Sequence, residues 1–446
     1  MIKKFKEYKE IILNLLKLSL PILGGNVSQL LVGFADSIAA GRYSTLALGA
    51  ISVASAIVMT ITIGALGVLL SISPVISNFR GKKMPSKKYF KLTLLFSILI
   101  SVPFFIILEI FLRNLGFLGF EIHLEELVAQ YIDVCAWTIF PTALFVAMKE
   151  FLQAYEKVIF PNILSFVMVI LNIILNFALT FGFNIGNFVF EPMGLIGIAV
   201  ATLISKVLVA IVLALYCLPL FEGKFAKSKE FIKEIIRVGI PISAATFFEF
   251  LGFNLTAVFI GKFSALYAAV HNIILCIANF TFMIVLSVAN AASIKVGFYN
   301  GAKDIINIKK YSIANILIVI FVCLMTFTTL ELYSNNIITL FSSDKEVIYW
   351  CDKILKIAIC FLFFDGIQGA CVGILKGLKD TKIIMFTMLF GYLFIAIPLG
   401  TYIAYHKHMV LEGYWIGLAL GIFVVCLITS TRVILKIRKL KKEYAD

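Results

Sequence analysis

Apolar residues run through this chain in long stretches that are separated by short polar breaks. Twelve of these stretches reach the length of about 20 residues that an α-helix needs to cross a bilayer. The pattern therefore predicts an all-α membrane protein with twelve transmembrane helices. Their approximate centres lie near Leu30, Ile61, Leu99, Phe140, Leu171, Val207, Phe248, Phe282, Val319, Phe361, Phe390 and Val424.

The second half of the chain repeats features of the first half at a fixed spacing of 220 residues. The matched positions include proline, glycine and a basic residue, so shared hydrophobicity alone does not explain them. The matches are Pro21 with Pro241, Gly41 with Gly261, Arg42 with Lys262, Ser44 with Ser264, Leu46 with Leu266, and Gly81 with Gly301. We therefore interpret the chain as a duplicated unit.

The duplication divides the twelve predicted helices into two lobes. We expect an N-terminal six-helix lobe over residues 1–222, a cytoplasmic linker over residues 223–232, and a C-terminal six-helix lobe over residues 233–446. Because six is an even number, both lobes enter the membrane in the same orientation, and a pseudo-symmetry axis runs along the membrane normal. Two such bundles predict a cavity between them that opens alternately to each side of the membrane.

Composition and charge support a membrane location and exclude other classes of protein. A content of 61% hydrophobic residues, 14% charged residues and a mean hydropathy of +1.03 excludes a soluble globule. The net charge of +14 comes from Lys and Arg in every second polar break, so it predicts cytoplasmic loops and two cytoplasmic termini rather than a nucleic-acid partner. The residue usage favours a bacterial inner (plasma) membrane.

No resident cofactor is predicted. The eight cysteines are scattered singly through apolar segments, and the four histidines form no ligand cluster. A nucleophile with a paired base is also not visible, so we expect no enzymatic activity. The lipid bilayer and small-molecule substrates are the expected partners, and the chain is expected to function as a monomer.

Asp36 is a carboxylate within the apolar first helix, in the run SQLLVGFADSIAAGRYS. An ionised side chain in hydrocarbon costs about 2.5 kcal/mol or more, so its presence needs a reason. Asn172 and Asn176 lie four residues apart on one face of the fifth helix, and Thr202 enters the sixth helix at a similar depth. Carboxylate, amide and hydroxyl oxygens suit a hard cation, so these four residues predict a site for Na⁺ or H⁺.

The C-terminal lobe carries its acids at other positions. Thr256 is equivalent to Asp36 under the repeat, whereas Glu249 is equivalent to Gln29. Glu249, in PISAATFFEFLGF, and Asp365, in FLFFDGIQGACVG, both fall near mid-membrane. If they face each other, the pair suits reversible protonation, and it suits the binding of a cationic substrate equally well.

Other polar and aromatic residues are expected to be structural. Lys149 and Glu150 lie near the cytoplasmic end of the fourth helix, and we assign them to solvated or paired surfaces. Asp133, about two turns into the same helix, is expected to reach water. Trp350 and Trp415 lie near the outer ends of helices and are predicted to be interfacial anchors.

The run GFADSIAAGRYSTLALGA resembles the first-helix signature of multidrug and toxic compound extrusion (MATE) transporters, in which a carboxylate precedes a Gly-basic-x-Ser turn. Gln29, seven residues before Asp36, also fits. The stretches GIPISAATFFEF, LYAAVHNIILCIANF, ASIKVGFYNGAKD and GILKGLKDTK resemble the NorM-like branch of that family, and the resemblance covers essentially the whole chain.

This resemblance implies a V-shaped pair of six-helix bundles that exports cationic, lipophilic compounds in exchange for Na⁺ or H⁺. Asp36, Asn172, Asn176 and Thr202 match the cation site of the family's N-terminal lobe. Glu249 and Asp365 match the acids of the C-terminal lobe.

The predicted substrate cavity includes Gln29, Phe361 and Gln368, although Phe361 stands where some relatives have a tyrosine. A flippase for lipid-linked saccharides, from the wider superfamily, is the alternative. Its pyrophosphate-bearing substrates would require Arg or Lys at mid-membrane.

Overall fold

The structure, a computed structural model, describes residues 2–185, 188–221, 225 and 228–444. Almost all of this part of the chain is helical. The first eight helices are α1 (Ile2–Tyr43), α2 (Thr45–Leu69), α3 (Ile72–Gly81), α4 (Phe90–Arg113), α5 (Ile122–Ala136), α6 (Ile139–Ala154), α7 (Ile159–Phe181) and α8 (Leu195–Tyr216). The remaining helices are α9 (Leu218–Phe221), α10 (Lys229–Gly261), α11 (Ala265–Gly301), α12 (Ile305–Thr339), α13 (Lys345–Gly377), α14 (Lys382–Leu389), α15 (Ile397–His406) and α16 (Val410–Glu443).

The predicted membrane spans agree with these helices. Within the described residues, 11 helical stretches are long and apolar enough to cross a bilayer. The remaining span is the pair α5 and α6, which is bent by 41° at its break, so the count reaches 12 when this pair is one span. Every predicted centre lies within one of these spans, and the prediction of an all-α protein with twelve transmembrane segments is confirmed.

A short β-hairpin interrupts the helical pattern between α7 and α8. Strand β1 (Phe183–Ile185) pairs antiparallel with β2 (Phe188–Phe190), and Phe183 lies opposite Phe190. Gly182 precedes the hairpin with a φ of +72°, a conformation that L side chains rarely adopt. This hairpin, which the sequence pattern did not predict, accounts for the length of the α7–α8 connection.

Helix α7 separates its polar side chains from its lipid-facing surface. Asn172, Asn176 and Thr180 follow one another at intervals of four residues and are completely buried. Large apolar residues such as Phe166 and Ile174 are exposed on the rest of the helix, where lipid solvates them. The periodicity of the sequence therefore directs all three polar side chains into the protein.

Chain contacts divide the protein into two compact units. The N-terminal unit comprises Gly24–Ile76 and Pro85–Ser243, and the C-terminal unit comprises Met1–Leu23, Ser77–Met84 and Ala244–Asp446. These limits differ from the predicted boundaries at residues 222 and 233, because α1, α3 and α10 are each divided between the two units. Helices α1 and α10 change unit at equivalent positions of the repeat, just after Pro21 and Pro241.

Small residues allow close helix packing inside each unit. Ala39, Ala47, Ala50 and Ala199 belong to a buried cluster of the N-terminal unit in which they are almost inaccessible. In the C-terminal unit, Gly366, Gly369, Gly373 and Gly377 form a stripe along α13. A Cβ atom on Gly373 would lie 2.5 Å from the backbone oxygen of Ala289 on α11. Such contacts are the usual means of association for helices in lipid, and they fix the turn of α13 that carries Asp365.

Candidate functional site

Asp36 lies in a buried polar network of the N-terminal unit. Its side chain is 6% exposed. Asn176 Nδ2 donates a hydrogen bond to Asp36 Oδ1 at 2.8 Å. The hydroxyl of Thr202 lies 3.3 Å from Oδ1 and 3.2 Å from Oδ2 of the same carboxylate. Three helices, α1, α7 and α8, therefore meet at one carboxyl group.

Asn172 completes this network through its contacts with Thr202 and Asn176. Its Nδ2 donates to Thr202 Oγ1 at 3.0 Å, and its Oδ1 accepts from Asn176 Nδ2 at 3.1 Å. The structure thus brings together all four residues that the sequence selected for a cation site. Their hydrogen bonds fix the orientation of each side chain, which preorganises the group around the carboxylate.

Two buried oxygen atoms beside this network lack a hydrogen-bond partner among the described residues. They are Asn176 Oδ1 and Thr180 Oγ1, which lie on successive turns of the same face of α7. A buried polar atom without a partner costs free energy, so its presence needs an explanation. Oxygen ligands next to a carboxylate fit a hard cation or a proton, whereas soft metals prefer sulfur and imidazole ligands.

Lys206 is a charged residue near this network that the sequence interpretation missed. It lies one helical turn after Thr202 on α8, near the middle of that span, and is partly buried. Its Nζ donates to Thr138 Oγ1 at 3.4 Å, and its charge interacts with that of Asp36. The four-residue spacing from Thr202 is the sequence signal that places both side chains on one face.

Asp365 and Glu249 lie together in the C-terminal unit, as the sequence interpretation required for a shared role. Asp365 is 5% exposed and accepts a hydrogen bond from Gln368 Nε2 at 3.4 Å. Glu249, on α10, is half-buried and close enough to Asp365 for their charges to interact. Lys376 on α13 also interacts with Glu249. The pair is therefore a shared acidic centre with one nearby base.

Aromatic rings surround this acidic centre. Phe361 packs edge-on against Phe253 and Trp415, with ring centroids at 5.8 and 5.9 Å. Tyr392 lies 5.4 Å from Phe253 and interacts with the charges of both acids. Tyr392 belongs to a π-helical segment, Phe390–Ala396, and such segments often occur at functional positions.

The prediction that Trp415 anchors the membrane interface is wrong. Its side chain is fully buried against Phe361 and His271, because α16 turns this residue towards the interior of the C-terminal unit. Trp415 Nε1, Tyr392 Oη and Gln368 Oε1 are buried atoms without hydrogen-bond partners among the described residues. Polar atoms within an aromatic surrounding are the composition expected of a ligand site.

The predicted substrate residues fall in different places. Phe361 and Gln368 are both 1% exposed and belong to the aromatic and acidic group of the C-terminal unit. Gln29 is exposed and belongs to the N-terminal unit, seven residues before Asp36. Thr256, the repeat equivalent of Asp36, is buried and donates to Gly252 O at 2.9 Å. The two units therefore do not duplicate one site.

Lys149 and Glu150 are buried rather than solvated. Their side chains are 4% and 7% exposed, and their charges interact. The Lys149 amine also lies close to Gly25, where an added Cβ would approach Nζ to 3.0 Å. Of the two alternatives that the sequence left open, a solvated surface is therefore wrong, whereas the pairing of the two charges is confirmed. Asp133, by contrast, is exposed on α5.

The family model MatE matches residues 21–178 and 241–402, which together make up most of the chain and correspond to its two repeats. The chain belongs to the multidrug and toxic compound extrusion (MATE) family. It is 28% identical to the probable multidrug resistance protein NorM of Photorhabdus laumondii over 98% of this chain and 97% of that protein. It is also 26% identical to the multidrug resistance protein NorM of Photobacterium profundum, over 94% of each chain.

Solved structures of MATE proteins share this fold. The structure superimposes on a MATE protein in the bent conformation with a TM-score of 0.88, at 19% identity and over 97% of each chain. The eukaryotic MATE transporter AtDTX14 gives a TM-score of 0.86 at 20% identity, over 98% of this chain and 99% of that one. The all-helical membrane fold of this MATE protein is thereby confirmed.

Proposed function

We propose that this MATE protein is a secondary active antiporter that exports cationic, lipophilic drugs or metabolites in exchange for Na⁺ or H⁺. The observation that carries the proposal is the buried network around Asp36. An ionised carboxylate within a membrane span is energetically unfavourable, so its presence indicates a functional role. Here three polar side chains orient the carboxylate. The names of the NorM relatives support export of drugs by a protein of this family.

The coupling cation binds at Asp36 in this mechanism. It binds the carboxylate, and Asn172, Asn176 and Thr202 are the residues that would hold Na⁺ with their side-chain oxygens. A proton would instead bind the carboxylate alone and preserve the hydrogen bonds that Asp36 accepts. In either case, coupling requires that the cation and the substrate favour different conformations of the protein. The cation thereby drives the protein between states that face opposite sides of the membrane.

The substrate binds at the aromatic and acidic group of the C-terminal unit in this proposal. Aromatic faces attract organic cations, and Glu249 with Asp365 supplies compensating negative charge. Phe361, Tyr392 and Trp415 provide a large apolar surface for a lipophilic body. We place the protein in a bacterial inner membrane with both termini in the cytoplasm, and we expect it to function as a monomer.

A flippase for lipid-linked saccharides is less well supported. Its substrates carry pyrophosphate, which requires basic groups at mid-membrane. Lys206 provides one such group in the N-terminal unit, but its charge is opposed by Asp36. At the acidic centre of the C-terminal unit, Glu249 and Asp365 carry two negative charges against the single positive charge of Lys376. This site therefore favours a cationic substrate.

Efflux from vesicles tests the proposed function. The purified protein is reconstituted into liposomes with equal concentrations of a fluorescent lipophilic cation inside and outside, and a Na⁺ gradient, an H⁺ gradient or no ion gradient is imposed. We expect dye movement against its own gradient with at least one of the two ions and none without a gradient. Failure of both gradients in folded, correctly inserted protein would contradict the proposal.

Thr202→Val is expected to weaken cation coupling by about tenfold while leaving maximal efflux nearly unchanged. Valine has nearly the same shape as threonine but lacks the hydroxyl that donates to Asp36 and accepts from Asn172. The loss of a hydrogen bond to a charged group corresponds to about 1.5 kcal/mol. The measurement is the cation concentration that gives half-maximal efflux. Thr202→Ser retains the hydroxyl and should behave like the wild type.

A further inference from the structure

Lys206 occupies a position in the membrane where a charge is unfavourable. It lies near the middle of α8, a span of 22 residues in which no other side chain carries a charge. An ammonium group at such a depth costs several kcal/mol unless other groups compensate it. Within the described part of the chain, its hydrogen bonding consists of the single contact from Nζ to Thr138 Oγ1 at 3.4 Å. A neutral hydroxyl does not compensate the charge.

The compensating charge comes from Asp36. Lys206 follows Thr202 by one helical turn on the same face of α8, and Thr202 is bonded directly to the Asp36 carboxylate. The charges of Lys206 and Asp36 interact, although they form no direct ion pair. The ammonium therefore stands beside the proposed cation site without blocking it.

The other groups near Lys206 do not alter this balance of charge. Helix α5 contributes Cys135 and Tyr131, which are neutral groups at ordinary pH, and Cys135 interacts with both Lys206 and Asp36. Helix α7 contributes the uncharged amides of the network.

We propose that Lys206 is a specificity-determining residue that makes the Asp36 site select monovalent over divalent cations. This inference rests on the proposed function of the Asp36 network. Carboxylate and amide oxygens suit Mg²⁺ and Ca²⁺ as well as Na⁺, so the network alone does not discriminate against divalent ions. A fixed positive charge beside the network repels a divalent ion twice as strongly as a monovalent ion. It also weakens the binding of the monovalent ion, which favours its release during each transport cycle.

Removal of this charge should change the cation specificity of efflux. In the vesicle assay, Lys206→Met should lower the half-saturating concentration of the coupling cation roughly tenfold, because a positive charge that repels the bound cation is removed. The same variant should become sensitive to inhibition by millimolar Mg²⁺, whereas the wild type should be insensitive. Lys206→Arg, which retains the charge, should resemble the wild type.

Two further variants control for folding and for general charge effects. Lys206→Gln removes the charge but keeps a hydrogen-bond donor for Thr138. It should show the same changes in cation affinity and Mg²⁺ sensitivity, and it replaces Lys206→Met if that variant does not fold. Lys87→Met removes an exposed lysine of the same unit and should have no effect.

Two results would overturn the inference. The first is inhibition of the wild type by millimolar Mg²⁺. The second is a folded neutral variant whose cation affinity and Mg²⁺ response match those of the wild type. In both cases gradient-driven efflux by the wild type would leave the proposed function intact, whereas its absence would contradict the proposed function itself.

Discussion

Asp36→Asn is expected to reduce gradient-driven efflux by about 100-fold, close to the largest coupling free energies between ligand sites. Asparagine has nearly the same shape, and its oxygen can still accept a hydrogen bond from Asn176. It carries no charge and does not take up a proton, so neither Na⁺ nor H⁺ would be held as the carboxylate holds it. The measurement is the initial rate of dye efflux under an imposed Na⁺ or H⁺ gradient.

Asp133→Asn is the matched control for this variant. Asp133 belongs to the same unit but is exposed, so its neutralisation should leave efflux unchanged. Asp36→Glu keeps the charge while displacing it, and partial activity is expected. Full gradient-driven efflux by Asp36→Asn would show that the carboxylate is not the coupling group.

Gly301→Ala is expected to destabilise the protein by about 3 kcal/mol, at the upper end of the usual cost of overpacking. An added Cβ would lie 2.0 Å from the backbone oxygen of Asn78 on α3. Gly81, the repeat equivalent of Gly301, is equally constrained. A Cβ added to Gly81 would lie 1.9 Å from the backbone oxygen of Phe298. Backbone atoms cannot rotate away as a side chain can, so α3 and α11 would have to separate. The measurement is the midpoint of thermal unfolding in detergent, together with the yield of monodisperse protein.

Gly33→Ala is the matched control, because it changes helix propensity in the same way without creating a steric clash. No heavy atom lies within 4 Å of a Cβ at Gly33. Alanine is the better helix former by about 1 kcal/mol, so this variant should be as stable as the wild type or slightly more stable. Equal stability of Gly301→Ala and Gly33→Ala would show that the close contact between α3 and α11 is not required.

Much of the fold follows from the sequence because lipid imposes simple constraints. A span must be apolar over about 20 residues, so twelve segments were visible from composition alone. The Asp36 network was also accessible, since the spacing of Asn172 and Asn176 places them on one helix face. The expected direction of each span then gave the common depth of Asp36 and Thr202.

Contacts between distant segments were harder to predict. Lys206 stands in an apolar helix as Asp36 does, but its contact with Thr138 depends on the break between α5 and α6. Trp415 follows a polar turn, which suggested an interfacial position, whereas packing against Phe361 buries it. The repeat located Pro21 and Pro241, yet only contacts revealed that α1 and α10 change unit just beyond them. Sequence periodicity shows which residues share one face of a helix, but it does not show which other helix packs against that face.

Simultaneous measurement of ion entry and dye exit tests the central claim most directly. Vesicles containing the protein start with equal concentrations of the fluorescent cation on both sides, and the internal Na⁺ concentration and pH are recorded while the dye leaves against the gradient that its exit creates. We expect Na⁺ or H⁺ to enter in fixed proportion to the dye that leaves, and both movements should stop in Asp36→Asn. Uphill dye exit without entry of either ion would contradict cation-coupled antiport at Asp36.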